Sequence, residues 1–404
     1  MLFGPLEIPY NKRLIPPRDV IVSNRVTLVK LEPFELERIQ SKWEHIVDVV
    51  LTESGVEPLS IKELISEKEQ QKLLSMDLGY SQTNGTIPLR EAIASMYTGA
   101  DAEDILVTNG GAEANFLAIW NFLNESDTAD EIIMMQPNYM QIHGVTRTLG
   151  GRVKSWNLKM ENGQWNLDIE ALKEAVGSKT VAITICNPNN PTGATFNRAD
   201  LKPVVDIAKD AGIWILSDEI YQGAEMDGEL TPTLFDQYEK VLVTNSLSKA
   251  YGLPGLRLGW VATCDKEHAE ELWAYSDYTT ICPSKISDSL ATIALQPDKR
   301  EWLLKRATRI VRQNWGTMQD WFDAHSDVFD YVTPEAASIC FPKHNLPLSS
   351  LELVERLRKE KDLLIVPGEH FGFQKYLRIG FGGEREVLEK GLNLFDEMIQ
   401  EITT

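Results

Sequence analysis

The sequence predicts an α/β fold, in which a mostly parallel seven-stranded sheet is covered by helices and is followed by a smaller α+β region. Short apolar runs alternate with helical stretches between residues 104 and 264, which is the rhythm of strands joined by crossover helices. Several runs, such as TVAITIC (180–186), are almost continuously apolar, as parallel strands buried on both faces are. After Pro283 the chain changes to long, charged helical stretches and then to short strands.

Seven apolar runs predict the strands of the large sheet. In chain order they are DILVTNG (104–110), EIIMMQPNY (131–139), RVKSWNL (152–158), TVAITICNPNN (180–190), IWILSDEIY (213–221), KVLVTNSLS (240–248) and LRLGWVATC (256–264). Helical spacing of apolar residues separates several of them, as in AEANFLAIWNFL (112–123) and ADLKPVVDIAKDAG (199–212).

The two ends of the chain are predicted to differ from this centre. Residues 1 to about 33 mix prolines and charges and are expected to form an arm. A helix is predicted over FELERIQSKWEHIVDVVL (34–51), and another helix begins at Leu59–Ser60. Residues 284–326 are helical in pattern, and residues 328–404 carry two helices and the short strands VFDYVT, ASICF, LLIVP and YLRIGFG.

A chain of 404 residues is too long for one ordinary hydrophobic core, so we expect two domains. The predicted large domain spans residues 48–290. The smaller domain combines residues 291–404 with an N-terminal arm and helix over residues 1–47.

Composition excludes several classes of function. The net charge of −20 disfavours nucleic-acid binding, because such a surface repels phosphate backbones. No run of about 18 apolar residues predicts a membrane span. The N-terminus lacks the pattern of a signal peptide, and none of the four cysteines has CxxC spacing. We therefore expect a cytoplasmic protein with reduced thiols and no metal site.

Polar clusters follow four of the predicted strands: NGGAE, NPNNPTG, SDEIY and NSLSK. Ligands of open parallel sheets bind at the carboxyl ends of the strands, so one shared site explains all four clusters. Gly110 and Gly111 precede a helix and fit either a phosphate cradle or a plain tight turn. Asp218 needs a partner cation or caps a helix. Lys249 is a candidate nucleophile, and Arg257 could bind a phosphate with two hydrogen bonds.

These residues resemble the fold-type I pyridoxal-phosphate (PLP) enzymes of the class I/II aminotransferase family. The resemblance runs from about residue 76 to 383 and rests on SLSKAYGLPGLRLGW, NPNNPTG, SDEIY and the late YLRIGFG. It implies that Lys249 holds PLP as an aldimine and moves protons, that Asp218 pairs with the ring nitrogen, and that Asn190 and Tyr221 bond the phenolate oxygen. The phosphate-binding residues that it implies are Gly111, Ala112, Ser246, Ser248 and Arg257.

The same resemblance assigns further roles around the cofactor. Tyr139 matches the aromatic residue that stacks on the ring, and Tyr80 matches a tyrosine that reaches the phosphate of a neighbouring subunit, which implies a homodimer with shared active sites. Arg378 matches the arginine that binds the α-carboxylate of the substrate, next to Asn190. Gly55 would let the backbone approach that carboxylate closely.

The sequence does not determine which side chain the substrate amino acid carries. Relatives specific for dicarboxylates carry an arginine shortly before the proline that matches Pro283, whereas this chain reads AYSDYTTICPSK there. Asp277 in that stretch, or Glu53 before the SGV loop, would favour a cationic side chain if it faced the pocket. A solvated surface position is the more common place for either acid.

The expected function is PLP-dependent amino transfer between an L-amino acid and a 2-oxo acid by ping-pong chemistry. The set FELER, SGVEPLSIKELI, YSQTNGTIPLREAI, TNGGAEANF and PNYMQ is also similar to a subgroup that contains capreomycidine synthase and PLP-dependent arginine oxidases and hydroxylases. The open alternatives are therefore an oxidase, hydroxylase or cyclase acting on arginine or a related cationic amino acid, and a β-elimination lyase.

Overall fold

The computed structural model describes residues 32–125 and 128–404. Its α-helices are α1 Glu35–Trp43, α2 Ile61–Leu64, α3 Glu67–Leu74, α4 Ile87–Ala94, α5 Gly111–Asn124, α6 Gln141–Thr148, α7 Ile169–Ala175, α8 Arg198–Ala211, α9 Lys266–Ser276, α10 Lys285–Ala294, α11 Pro297–Ala324, α12 Ser350–Lys361 and α13 Arg385–Thr403. Its strands are β1 Val49–Val50, β2 Ile105–Thr108, β3 Glu131–Gln136, β4 Arg152–Asn157, β5 Lys159–Glu161, β6 Gln164–Asn166, β7 Thr180–Cys186, β8 Trp214–Asp218, β9 Val241–Ser246, β10 Gly259–Ala262, β11 Phe329–Asp330, β12 Ile339–Cys340, β13 Lys343–His344, β14 Leu363–Leu364, β15 Val366–Pro367 and β16 Leu377–Gly380.

The predicted large sheet is confirmed. Its seven strands lie in the order β2-β10-β9-β8-β7-β3-β4, and only β10 runs antiparallel to its two neighbours. Alternate side chains of the central strands enter two separate apolar cores: Ile215 and Val243 pack on one face, and Leu216 and Leu242 on the other. Burial on both faces explains why these runs are apolar throughout.

The predicted strands extend too far at their carboxyl ends. β3 ends at Gln136 and β7 at Cys186, whereas the predicted runs continued to residues 139 and 190. Pro137 and Pro188 follow closely, and a proline has no N–H with which to continue the ladder. The residues beyond each strand instead form loops at one edge of the sheet.

The helix predicted over residues 34–51 is wrong in its second half. α1 ends at Trp43, and Val49–Val50 form β1, which pairs in parallel with Leu363–Leu364 of β14. Two β-branched residues with a strand partner far along the chain favour extended backbone over helix.

The C-terminal part has its own apolar core. This core joins residues of α11, α12 and α13 to the three-stranded sheet β12-β16-β15, and Val311, Leu353, Phe395 and Ile379 all belong to it. The predicted division into domains at residues 47 and 290 stays a prediction, and the predicted arm over residues 1–33 falls almost entirely outside the described residues. None of the helices in the described ranges combines the length and apolarity needed to cross a membrane.

Candidate active site

A cavity of about 520 Å³ opens at the carboxyl ends of the central strands, where the sequence places its polar clusters. Most of the predicted site residues line it. They are Gly111, Ala112, Tyr139, Asn190, Asp218, Tyr221, Ser248, Lys249, Arg257 and Arg378. Ser246 lies directly beneath, since its Oγ accepts a hydrogen bond from the N–H of Ser248 at 3.1 Å.

One end of the cavity is built from glycine backbone and a guanidinium group. Gly110 has a φ of +84° and is the N-cap of α5, whose first backbone N–H groups point out of the helix. A Cβ on Gly110 would lie 2.7 Å from Nη2 of Arg257, and one on Gly259 would lie 2.5 Å from the carbonyl carbon of Gly110. Gly110, Gly259 and the guanidinium of Arg257 approach this closely only because the glycines have no side chain. The result is a cationic helix N-terminus suited to an anion.

Asp218 lies at the end of β8 and is only 4% exposed. Its Oδ1 accepts from the N–H of Ile220 at 3.1 Å, and its Oδ2 accepts from Nδ2 of Asn115 at 3.2 Å. Burial raises the pKa of Asp218 to about 6, and these hydrogen bonds oppose that rise. A carboxylate this buried is positioned to pair with a cation in the cavity.

Lys249 follows β9 and lines the same cavity. Burial lowers the pKa of its ammonium group; Arg378 and Arg257 lower it further, whereas Glu53 and Glu37 oppose the shift. A lysine with a lowered pKa exposes a larger fraction of neutral amine, the form that attacks a carbonyl or accepts a proton.

Arg378 on β16 is the buried cation on the opposite side. Its Nη2 donates to the carbonyl of Thr52 at 2.6 Å, and its Nη1 donates to Oδ1 of Asn190 at 3.2 Å. Its Nε is buried with no partner among the residues that the structure describes. The guanidinium is therefore fixed in place and keeps N–H donors for a ligand, among them the one on Nε.

Residues 52–57, called here the closing segment, connect these parts. Beyond the Thr52 contact, Oγ of Ser54 accepts from the hydroxyl of Tyr221 at 2.9 Å. The N–H of Val56 donates to the carbonyl of Lys249 at 3.3 Å. A Cβ on Gly55 would lie 3.0 Å from the carbonyl oxygen of Ser248, so glycine allows the segment to pass close to the lysine.

Acidic side chains from α1, from the residue that follows it and from the closing segment also line the cavity. Glu37, Glu44 and Glu53 all face it, together with Gln40. The hydroxyl of Tyr139 donates to Oε1 of Glu37 at 2.6 Å, and burial raises the pKa of that tyrosine. This half of the cavity is negative, in contrast to the cationic half that Arg257 and Arg378 form.

Two predicted residues lie elsewhere in the described chain. Tyr80 is 86% exposed, and Asp277 is exposed at the C-terminal end of α9; neither lines the cavity. Sequence reasoning did not find Asn115, although a polar residue on the apolar face of AEANFLAI is a readable signal. Glu37 and Thr52 gave no comparable signal, because their positions depend on the tertiary fold.

The chain is similar to known proteins over most of its length. The model of the family "Aminotransferase class I and II" matches residues 52–395. Capreomycidine synthase of Streptomyces vinaceus is 27% identical over 334 residues, covering 83% of each chain. Aromatic-amino-acid aminotransferase 2 of Thermococcus litoralis is 27% identical over 394 residues, which is 94% of this chain and 98% of that protein. A PLP-dependent aminotransferase structure from Streptococcus suis superposes with a TM-score of 0.85 at 32% identity, covering 92% of this chain and 99% of the other.

Proposed function

The chain belongs to the class I and II aminotransferase family, and on this premise we propose that it transfers the amino group of an L-amino acid to a 2-oxo acid in two half-reactions. One observation carries the proposal. Lys249, an amine with a lowered pKa, and Arg378, whose Nε has no partner among the described residues, line one cavity together with the buried carboxylate of Asp218. An α-amino acid carries an amine and a carboxylate on one carbon, and in this cavity the carboxylate can bind Arg378 while the amine lies toward Lys249.

Pyridoxal phosphate is the cofactor of the family and of its structural neighbours, and the residues of the cavity fit it. Asp218 suits the protonated ring nitrogen, because a buried carboxylate needs a cationic partner. The N-terminus of α5 with Arg257 suits the phosphate, since Gly110 and Gly259 have no side chain that would clash with Arg257 or with the start of the helix. Lys249 suits the aldehyde.

The cofactor, when bound, supplies an electron sink and a carrier for the amino group. Lys249 accepts the α-proton of the substrate at Nζ and later returns it, for which a lowered pKa is favourable. Arg378 binds the α-carboxylate through its free Nε, while Thr52 and Asn190 keep the guanidinium in position. The hydroxyls of Tyr221 and Ser54 can exchange donor and acceptor roles, so Tyr221 can also donate to the cofactor.

A panel of amino acids tests the proposal, each supplied with and without 2-oxoglutarate. Amino transfer that requires the 2-oxo acid supports it, and no transfer from any donor would refute it. Lys249→Ala should abolish turnover because both the amine and the proton acceptor are lost, yet the variant should still bind PLP without a covalent bond. Borohydride should then fix the cofactor to the parent protein only, and unchanged turnover would contradict the role of Lys249.

A second candidate has a specific observation in its favour. Three carboxylates, those of Glu37, Glu44 and Glu53, line the cavity, and Glu53 and Glu37 both act electrostatically on Lys249 and Arg378. A substrate with a cationic side chain would neutralise this negative half. We therefore propose a cationic amino acid such as arginine as the donor; oxidation, hydroxylation or cyclisation of that substrate is the alternative to amino transfer.

The same panel separates these outcomes when oxygen uptake and ammonia release are recorded with keto-acid formation. Oxygen consumption with arginine in the absence of a 2-oxo acid would favour the oxidase or hydroxylase. Product formation without oxygen, 2-oxo acid or ammonia would favour the cyclase, and ammonia release from a β-substituted amino acid would favour the lyase.

We also propose that the enzyme acts as a cytoplasmic homodimer. Leu74 and Leu78, which shortly precede Tyr80 in the sequence, are both 80% exposed, and Tyr278 is 81% exposed. Burial of such residues against a second copy would stabilise a dimer. The four cysteines carry free thiols, as expected in a reducing compartment. Analytical ultracentrifugation gives the mass directly, and a monomer that retains full activity would contradict the shared site.

A further inference from the structure

Asp218 is held from two sides, and one of its two supports is a side chain with no assigned role. The backbone N–H of Ile220 donates a hydrogen bond to Oδ1 of Asp218, and the side-chain amide of Asn115 donates one to Oδ2. Asn115 lies on α5 and is 4% exposed, so water does not replace it readily. Its amide therefore determines how the second carboxylate oxygen is oriented.

The orientation of the Asn115 amide is set in turn by Thr244. The hydroxyl of Thr244 donates to Oδ1 of Asn115 at 2.8 Å. Thr244 is the residue on β9 that lies directly opposite Asp218 on β8 in the parallel ladder. Two neighbouring strands and the helix that packs on them thus meet in one chain of hydrogen bonds, Thr244 to Asn115 to Asp218.

The chain of hydrogen bonds has a defined direction. A carboxylate can only accept, so Asn115 must present its Nδ2 to Asp218. The amide oxygen then needs a donor, and the Thr244 hydroxyl, which is 1% exposed, supplies it. A donor aimed at a buried carboxylate stabilises the charged form more than the neutral form.

We propose that Asn115 and Thr244 are positioning residues that hold Asp218 oriented toward the cavity and in its charged form, so that it can pair with the protonated ring of the cofactor. This inference rests on the proposed function, because it assigns Asp218 to the ring nitrogen. Neither Asn115 nor Thr244 needs to touch the reacting atoms, since both act through the carboxylate.

Binding of pyridoxine 5′-phosphate to the apoenzyme tests the inference, because this ligand has no aldehyde and binds without a covalent bond to Lys249. Asn115→Leu should weaken binding at neutral pH by roughly ten- to a hundredfold, the loss expected for a hydrogen bond to a buried charge. Thr244→Val should weaken it by a smaller factor, while Thr244→Ser, which keeps the hydroxyl, should bind like the parent protein.

The pH profile separates a positioning role from a general loss of structure. Affinity should fall as the pH drops through the pKa of Asp218, because protonation competes with the ring for the carboxylate. Loss of the Asn115 donor should move that midpoint upward by roughly one pH unit. Lys249 acts electrostatically on Asp218, and Asp218 in turn acts on Glu219, Cys186 and Tyr221. All four groups remain in both proteins, so the comparison isolates the donor.

The outcomes are distinct. Equal affinity and an equal midpoint for Thr244→Val and Thr244→Ser would overturn the inference, even if Asn115→Leu failed to fold. A variant whose circular dichroism is unchanged but whose midpoint has moved supports it. Failure of the proposed function appears separately, as a parent protein that binds the cofactor but transfers no amino group from any donor.

Discussion

The apoenzyme should become more stable when its buried carboxylate is neutralised. Asp218→Asn keeps the size of the side chain and an acceptor for the Ile220 N–H. Asn115 can turn its amide to offer oxygen to the introduced amide, and the Thr244 hydroxyl can accept instead of donating. The substitution therefore removes a charge without leaving a broken hydrogen-bond network.

The magnitude follows from the pKa of Asp218. Burial raises it from the ordinary 3.8 to about 6, a difference of about two units that corresponds to about 3 kcal/mol. Because the pKa of Asp218 is higher in the folded than in the unfolded parent protein, protonation of this carboxyl stabilises the fold. That contribution is fully present below the unfolded-state pKa and is lost as the pH rises through the folded-state pKa. At pH 7 the variant apoenzyme should exceed the parent by up to about 3 kcal/mol in free energy of unfolding, and the difference should vanish below about pH 4.

Urea unfolding of both apoenzymes between pH 4 and pH 8 measures this difference, and titration with PLP measures the cost to function. The variant should bind PLP at least tenfold more weakly, since a buried charge pair is lost. Glu219→Gln is the matched control: it removes a second buried acid, whose pKa burial raises to about 7, and should leave the affinity for PLP nearly unchanged. An Asp218→Asn apoenzyme that is less stable than the parent at neutral pH would refute the reasoning.

Three further changes test other parts of the cavity. Arg378→Lys should raise the KM of every amino donor by about tenfold or more without changing the affinity for PLP, because an ammonium group cannot reproduce the planar guanidinium fork. Equal KM values for variant and parent in steady-state kinetics would contradict this. Gly110→Ala should weaken PLP binding by about tenfold, since its Cβ would lie 2.7 Å from Nη2 of Arg257 at a φ of +84°, and a titration with unchanged affinity would count against the anion site. Glu53→Gln should lower the ratio of kcat/KM for arginine to kcat/KM for a neutral donor by roughly three- to tenfold, because Glu53 lines the cavity. Asp277→Asn, outside the cavity, should leave this ratio unchanged. The same ratio in both variants would remove the case for a cationic substrate.

The sequence predicted the sheet well because its signal is local. Runs such as TVAITIC are apolar at almost every position since both faces of the strand are buried, and the polar residues that follow them meet at one edge by topology alone. Lys249, Asp218 and Arg257 could therefore be placed near one another before the structure was known.

The rest depends on contacts between distant parts of the chain. Val49–Val50 continued a helical pattern and became a strand only because Leu363–Leu364 pairs with it. The carboxylates of Glu37 and Glu44 reach the cavity because α1 packs there, which no local pattern reveals. Asn115 was readable as a polar residue on an apolar face, but its partner Asp218 lies 103 residues away.

The closing segment joins parts of the site that lie far apart in the sequence. Its Thr52 holds Arg378 across 326 residues of sequence, and its Ser54 holds Tyr221 across 167. During synthesis the segment leaves the ribosome early, and its contact with Arg378 cannot form until β16 has emerged. A chain released before that point contains Lys249 and Asp218 but lacks the arginine that fixes the segment. The contact that joins Thr52 to the buried guanidinium of Arg378 can therefore form only after β16 has been translated.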